Sequence, residues 1–343
     1  MAKSKTSTVT EYVKFLRDTS PYVNAHRGKT FVLAFSGKAM SHANFNNIIL
    51  DIALLHSLGI NLVLVHGAIS PTNDHSKSSA AQKKFNKHDY VTDSAAMSYI
   101  KDAVGSARIN IEAMLSTGAV NSSMHGSRIQ VASGNFITAK PMGIKGGVDF
   151  QYTGEIRRID ENSIKRQLAD GAIALLSPIG YSPTGETFSL NYENVAAQAA
   201  ISLGAEKLIM FCQNEGVTSH DGELLKTLSL DEASEHLNHS DIGYGDRRSL
   251  EACYQACKNN ISRSHIISYT FNGALLEELF TRDGRGTLIL KNSSGIIRQA
   301  TIDDIGGLIE LIAPQEEKGV LVKRSRELLE LEISRFSIIE HRE

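Results

Sequence analysis

Short apolar runs that stop at a glycine turn, separated by stretches with helical spacing, recur along this chain. Phe31-Val32-Leu33-Ala34-Phe35 runs into Ser36-Gly37, and Leu62-Val63-Leu64-Val65 runs into His66-Gly67-Ala68. Unbroken apolar runs of this length read as strands of a parallel sheet that is covered on both faces. Between them, Phe45 to His56 repeats its apolar residues at helical spacing. The three pieces predict a βαβ unit, and the crevice at its carboxyl strand ends is where open α/β sheets hold ligands. Neither strand carries a lysine on its approach to the turn.

The same reading predicts strands at Ala172–Ser177, Lys207–Phe211, His265–Tyr269 and Leu288–Leu290. Helices are predicted over Ala95–Thr117, from Ile159 through Leu168, and over Val195–Leu203, Leu250–Cys257 and Ala274–Phe280. An N-terminal helix over Val9–Leu16 is expected to end at Ser20-Pro21, because proline disfavours helical backbone just before it. Ile129–Ala132 and Phe136–Lys140 alternate around Ser133-Gly134-Asn135, the pattern of a hairpin. With Tyr152–Ile156 they predict a flap over the sheet edge. Ser70–Lys77 reads as a polar loop, Asp231–Asp246 as a polar stretch, and Lys291–Gly295 as a linker.

A second unit is predicted from Ile297. Thr301-x-x-Asp304 has capping-box spacing, helices follow at Ile305–Ile312 and Glu327–Arg335, and Ser337–Glu340 reads as a strand. A β-α-α-β stretch of this length cannot bury its own helices. Residues 297–343 are therefore expected to be the start of an incomplete domain.

Composition narrows the function classes. The chain has 343 residues, 41% hydrophobic and 22% charged, with a net charge of −2. That balance excludes a general nucleic-acid binder, which carries a basic stripe. Arg157-Arg158 and Arg247-Arg248 read as solvated faces or single-anion contacts. Cys212, Cys253 and Cys257 are the three cysteines. The last two share a helix face as packing residues. No CxxC or HExxH occurs, so no metal is expected. A sparse, odd cysteine count fits a reducing cytoplasm, and no apolar run long enough for a membrane span is present. The polar N-terminus lacks the apolar core of a signal peptide.

Gly28-Lys29-Thr30-Phe31-Val32, the two glycine turns, Val91-Thr92-Asp93, Ser133-Gly134-Asn135-Phe136, Asn191-x-Glu193 and Gly284-x-Gly286-Thr287 resemble an amino-acid-kinase-fold domain. Pro21-Tyr22, His26 to Thr30, Leu54 to Ile60 and Ala300 to Gly307 extend the likeness over essentially the whole chain. Taken together, it resembles the bacterial two-domain N-acetylglutamate synthases. The resemblance implies a three-layer α/β sandwich with a mainly parallel central sheet over residues 21–291. The start of a GNAT-type acetyltransferase domain would follow at 297–343. It implies transfer of acetyl from acetyl-CoA to L-glutamate, feedback inhibition by L-arginine, a cytoplasmic location, and a homo-oligomer contacting through an N-terminal helix within residues 1–20.

The resemblance also locates departures. Kinases of the fold carry a lysine where Ala34 stands, two glycines at Ser36-Gly37, and a second lysine at Ser249. Their catalytic aspartate aligns with Glu193, beside Asn191. An arginine that grips the substrate carboxylate aligns with Tyr90, and the second turn keeps a single glycine, Gly67. The kinase site is therefore expected to be degenerate, since positioned charge supplies most of the rate in phosphoryl transfer. Lys38 lies just past the first turn as a displaced charge. The arginine-sensor positions Tyr22, His265, Glu278, Gly284 and Gly286 are all kept. Glu278 is expected to fork onto a guanidinium, and Gly284-x-Gly286 to offer backbone groups to the ligand's other end.

The pyrophosphate-binding loop for acetyl-CoA is expected beyond Glu343. Gly284-Arg285-Gly286 precedes a strand rather than a helix and is not that loop. This stretch alone is thus expected to hold no catalytic residue and no tightly bound cofactor, and to be inactive alone. Acetyl-CoA would enter as a substrate of full-length members. The alternatives are an ATP-using acetylglutamate kinase and a non-enzymatic arginine-binding module.

Overall fold

The computed structural model describes residues 13, 17, 19–68, 82–84, 90–117, 129–219, 221–238, 244–281, 284–291, 296–317, 319–322 and 324–340. The predicted loop at Ser70–Lys77, the linker after Lys291, and Val9–Leu16 apart from helical Val13 lie outside the described residues. The chain divides into two compact units, Met1–Lys291 and Asn292–Glu343.

The first unit runs through β1 (Thr30–Phe35), α1 (Phe45–Ser57), β2 (Asn61–His66), α2 (Ser94–Thr117), β3 (Val131–Ser133), β4 (Ile137–Pro141) and β5 (Gly154–Ile159). It continues through α3 (Glu161–Ala169), β6 (Ile173–Leu176), β7 (Ile179–Tyr181), β8 (Thr187–Ser189), α4 (Tyr192–Leu203) and β9 (Lys207–Cys212). Last come β10 (Thr227–Ser229), α5 (Leu230–Asn238), α6 (Tyr244–Lys258), β11 (Arg263–Ser268), α7 (Ala274–Phe280) and β12 (Thr287–Leu290).

Eight strands form the central sheet in the order β10-β12-β11-β9-β1-β2-β6-β3. From β3 to β11 all neighbours are parallel, and β12 turns antiparallel against β11. Alternation along β1 builds both layers of the core. Phe31, Leu33 and Phe35 face one side with residues of α1, α2 and α7. Val32 and Ala34 face the other with α3, α4 and α6. Period-two side-chain direction thus makes a continuously apolar strand the centre of a three-layer sandwich. The alanines of α4 (Ala196, Ala197, Ala199 and Ala200) bring that helix close to the sheet, and Gly204 ends it at φ +62°.

Several expectations are corrected. The stretch predicted as a hairpin is split between two sheets. Val131–Ser133 pairs parallel with Ile173–Leu175 in the central sheet, whereas β4 pairs antiparallel with β5 in a smaller sheet of order β8-β7-β4-β5. Residues 19–26 are helical, so Ser20-Pro21 does not end the N-terminal helix. Tyr22 and Val23 pack on the core there, and the His26 ring bonds the Leu279 carbonyl at 3.1 Å, so tertiary contact outweighs the proline penalty. The polar stretch Asp231–Asp246 contains α5 and the start of α6.

The second unit pairs β13 (Ile296–Gln299) antiparallel with β14 (Ser337–Glu340), with α8 (Ile305–Glu317) and α9 (Arg326–Glu332) between them. The capping box forms, with the Thr301 amide donating to Asp304 Oδ2 at 2.7 Å. Ile305, Leu308 and Leu329 are buried, while Leu311, Val322 and Leu331 are exposed.

Candidate functional site

Glu278, on α7, is the centre of a buried polar cluster beside the antiparallel edge of the sheet. Its Oε1 accepts from His265 Nδ1 at 2.6 Å, and both side chains are 5% exposed. Its Oε2 accepts from the backbone amides of Arg285 (2.6 Å) and Gly286 (2.8 Å). The second nitrogen of His265 faces Lys207 Nζ at 3.4 Å. Lys207 opens β9, His265 lies in β11, and the two are directly paired strands.

The charges of this cluster follow from burial and geometry. Burial alone would push the Glu278 carboxyl up. The His265 hydrogen bond and the two amides outweigh it and hold the carboxyl at about 2. Burial, then the nearby Lys207, push His265 down to about 4. A neutral imidazole that donates through Nδ1 to Glu278 and accepts at Nε2 from Lys207 satisfies both neighbours. Lys207 itself is pushed down to about 8 by burial and by Arg263.

Gly284 and Gly286 are required here for different reasons. Gly284 has φ +58°, and a Cβ there would lie 2.8 Å from Glu278 Oε2. A Cβ on Gly286 would lie 2.2 Å from the Ile266 carbonyl oxygen. Tyr22 packs on the apolar layer to which Leu275, Leu279 and Phe280 of α7 also belong. Its own helix is tied by His26 to the carbonyl of Leu279, one residue beyond Glu278.

The second candidate region is at the carboxyl ends of β1 and β2. Ala34 is fully buried, in register with Val65 and Met210. Ser36 caps a short helix, Gly37–Met40, by accepting from the Ala39 amide at 3.2 Å. A Cβ on Gly67 would lie 3.0 Å from the Gly37 nitrogen, so the two turns leave no room for a side chain there. Asn191 caps α4, accepting from the amides of Glu193 and Asn194. Ser249 is buried and hydrogen-bonds the Cys212 thiol. Tyr90 and Asn191 meet across a cavity of about 540 Å³ whose wall also includes Gln198, Arg248 and Gln255. Among the described residues there is no group of side chains that could hold a metal ion, and no helix long and apolar enough to cross a membrane.

The amino acid kinase family model matches residues 29–268. The chain is 49% identical over 330 residues to the amino-acid acetyltransferase of Ectopseudomonas mendocina, and 48% identical to that of Pseudomonas putida. Each alignment covers 96% of this chain and 76% of the relative. The chain belongs to the amino-acid acetyltransferase family. It is similar, at TM-score 0.85 and 35% identity, to the N-acetylglutamate synthase of Neisseria gonorrhoeae solved with coenzyme A and L-arginine, covering 96% of this chain and 76% of that one. Likeness to the carbamate kinase of Giardia (TM-score 0.54, 15% identity) shows the kinase fold alone.

In this acetyltransferase the structure brings His265, Glu278, Gly284 and Gly286 into one cluster. Both oxygens of Glu278 accept hydrogen bonds, Oε1 from His265 and Oε2 from the turn amides. Two residues were missed. Lys207, a strand-leading cation, is only 4% exposed and gives no local signal of burial. Arg248, read as a solvated face or anion contact, is half-buried on the cavity wall.

Glu193 gives a pH prediction. Burial pushes its carboxyl from 4.5 up to about 7, against the Arg248 charge and the Tyr192 hydroxyl. Its folded-state value lies above its unfolded one. The stabilisation is therefore complete below 4.5 and disappears as pH rises through 7. Relative to wild type, Glu193→Gln should gain about 3 kcal/mol at pH 8 over its difference at pH 4. Denaturant melts at the two pH values check this. An equal difference at both would mean Glu193 ionises normally.

Proposed function

We propose that the protein is an N-acetylglutamate synthase, making N-acetyl-L-glutamate and CoA from acetyl-CoA and L-glutamate, and restrained by L-arginine. The family relationship supports the acetyl-transfer reading. The observation that carries the regulatory reading is the buried Glu278–His265 pair facing the amides of the Gly284–Gly286 turn. A carboxylate and a pair of backbone donors are complementary to the two charged ends of an amino acid with a cationic side chain. Tyr22, on the helix tied to α7, would complete the site.

In this reading residues 21–291 are the arginine-sensing, amino-acid-kinase-like domain, and 297–343 begin the acetyltransferase domain. The helix within residues 1–20 is the contact between copies of a homo-oligomer. Free, buried Cys212, Cys253 and Cys257 suit a cytoplasmic protein. Ala34, Ser36, Gly37, Gly67, Tyr90, Asn191, Glu193 and Ser249 are a kinase site without kinase chemistry. With ATP and N-acetylglutamate, ADP release should therefore stay at background. Sustained turnover would replace this reading with an acetylglutamate kinase.

The deciding experiment is thermal melting with L-arginine, agmatine or L-citrulline. A ligand at a hundred times its Kd adds about 2.7 kcal/mol to the folded state. L-Arginine should raise Tm. Agmatine lacks the carboxylate and citrulline the cation, so neither should. No rise at millimolar L-arginine would remove the sensor from the proposal. Acetyl transfer is read as glutamate-dependent release of the CoA thiol, and its depression by L-arginine would join the two halves.

A further inference from the structure

The two halves of the proposed arginine site are bonded to each other. Glu278 Oε2 accepts both turn amides, and Oε1 is taken by His265. L-Arginine can enter by exchange: its guanidinium takes the carboxylate, and its own carboxylate takes the Arg285 and Gly286 amides. That exchange requires the turn to part from Glu278.

A side chain on the turn resists this. The Arg285 guanidinium lies 3.3 Å from the centre of the Phe271 ring. Its Nη1 is 3.5 Å from Glu277 Oε2, and its Nη2 is 3.5 Å from Glu215 Oε1. Phe271 precedes α7, Glu277 lies on α7, and Glu215 follows β9. One helix residue and two loop residues therefore hold the side chain that stands between Gly284 and Gly286. An aromatic face flanked by two carboxylates is itself a guanidinium-binding arrangement, and here the chain supplies the guanidinium.

We propose that Arg285 is a latch: its stacking on Phe271 and its pairing with Glu277 and Glu215 hold the Gly284–Gly286 turn against Glu278, and so set the L-arginine concentration needed to open the site. The proposal rests on the arginine-sensor reading above. It makes the Arg285 side chain a positioning group, with no contact to the effector beyond the backbone amide already counted in the turn. The latch consists of one stacked cation and two half-exposed ion pairs, modest contacts individually. Their loss should tighten L-arginine binding by about tenfold, equal to about 1.4 kcal/mol.

Titration calorimetry of L-arginine into wild type, Arg285→Ala, Arg285→Lys and Phe271→Leu tests it. Arg285→Ala should lower Kd about tenfold. Arg285→Lys keeps the charge but loses the planar stack, and should fall between. Phe271→Leu weakens the latch from the other side without altering the turn, and should also lower Kd. Wild type that binds with the same Kd as Arg285→Ala and Phe271→Leu overturns the latch and leaves the sensor standing. Weaker binding in Arg285→Ala overturns it too, because the Arg285 side chain would then be helping to hold the ligand. Silence from wild type and all variants at millimolar L-arginine removes the sensor and the latch together.

Discussion

Gly286→Ala should destabilise the first unit by about 3 kcal/mol, the upper part of the usual range for forcing extra volume into a packed interior. The new Cβ would lie 2.2 Å from the Ile266 carbonyl oxygen and 2.7 Å from Ile267 Cγ2. Neither can move aside cheaply. Ile266 is paired with Met210 on one side and Thr287 on the other, so its backbone is fixed between two neighbouring strands. The turn is held as well, because the Gly286 amide donates to Glu278. Relief would have to come from opening the β11–β12 edge, and with it the cluster around Glu278. Thermal melting should show Tm lower by several degrees and a weakened L-arginine response. A melting curve that matches wild type would mean that the turn relaxes freely, contrary to the packing described.

The largest effect on ligand response is expected from Glu278. Glu278→Ala removes the acceptor that three donors share: His265 Nδ1 and the amides of Arg285 and Gly286. Each unsatisfied buried donor costs about 1–3 kcal/mol, so a loss of about 3 kcal/mol is expected after partial relaxation. The L-arginine-induced rise in Tm should vanish. Glu278→Gln separates the two consequences. Its amide oxygen can still accept from the turn, so the fold should be recovered in large part. The missing charge should still abolish the L-arginine response, because ion pairing with guanidinium needs the carboxylate. A full Tm rise in Glu278→Gln would place the effector elsewhere.

Much of the architecture was legible along the chain because both faces of the sheet are buried. Phe31, Leu33 and Phe35 alternate with Val32 and Ala34 between two apolar layers, so the strand reads as one unbroken run. Pairing over distance was not legible. Val131–Ser133 looks like half of a hairpin because its true neighbour, Ile173–Leu175, lies forty residues on. Leu230, Ala233 and Leu237 carry the buried stripe of α5, but the polar residues around them mask its period.

The candidate site divides in the same way. Glycines at 284 and 286 and a carboxylate at 278 can be named from residue type and resemblance. That the carboxylate is already consumed by the turn depends on backbone geometry. Lys207 and Arg285 are ordinary cations in sequence. Their places, under His265 and over Phe271, follow from strands and loops meeting across the fold.

The tight packing around the first two glycine turns has a consequence for substitution there. Ala34 sits at zero exposure among Val65, Leu176 and Met210, and any side chain at Gly67 would crowd Ser36 and Gly37. A lysine placed at 34 would bury an ammonium among aliphatic side chains, at a cost of several kcal/mol. On the proposed reading of these positions as a kinase site without kinase chemistry, restoring its residues one at a time would lower stability before any phosphoryl chemistry returned.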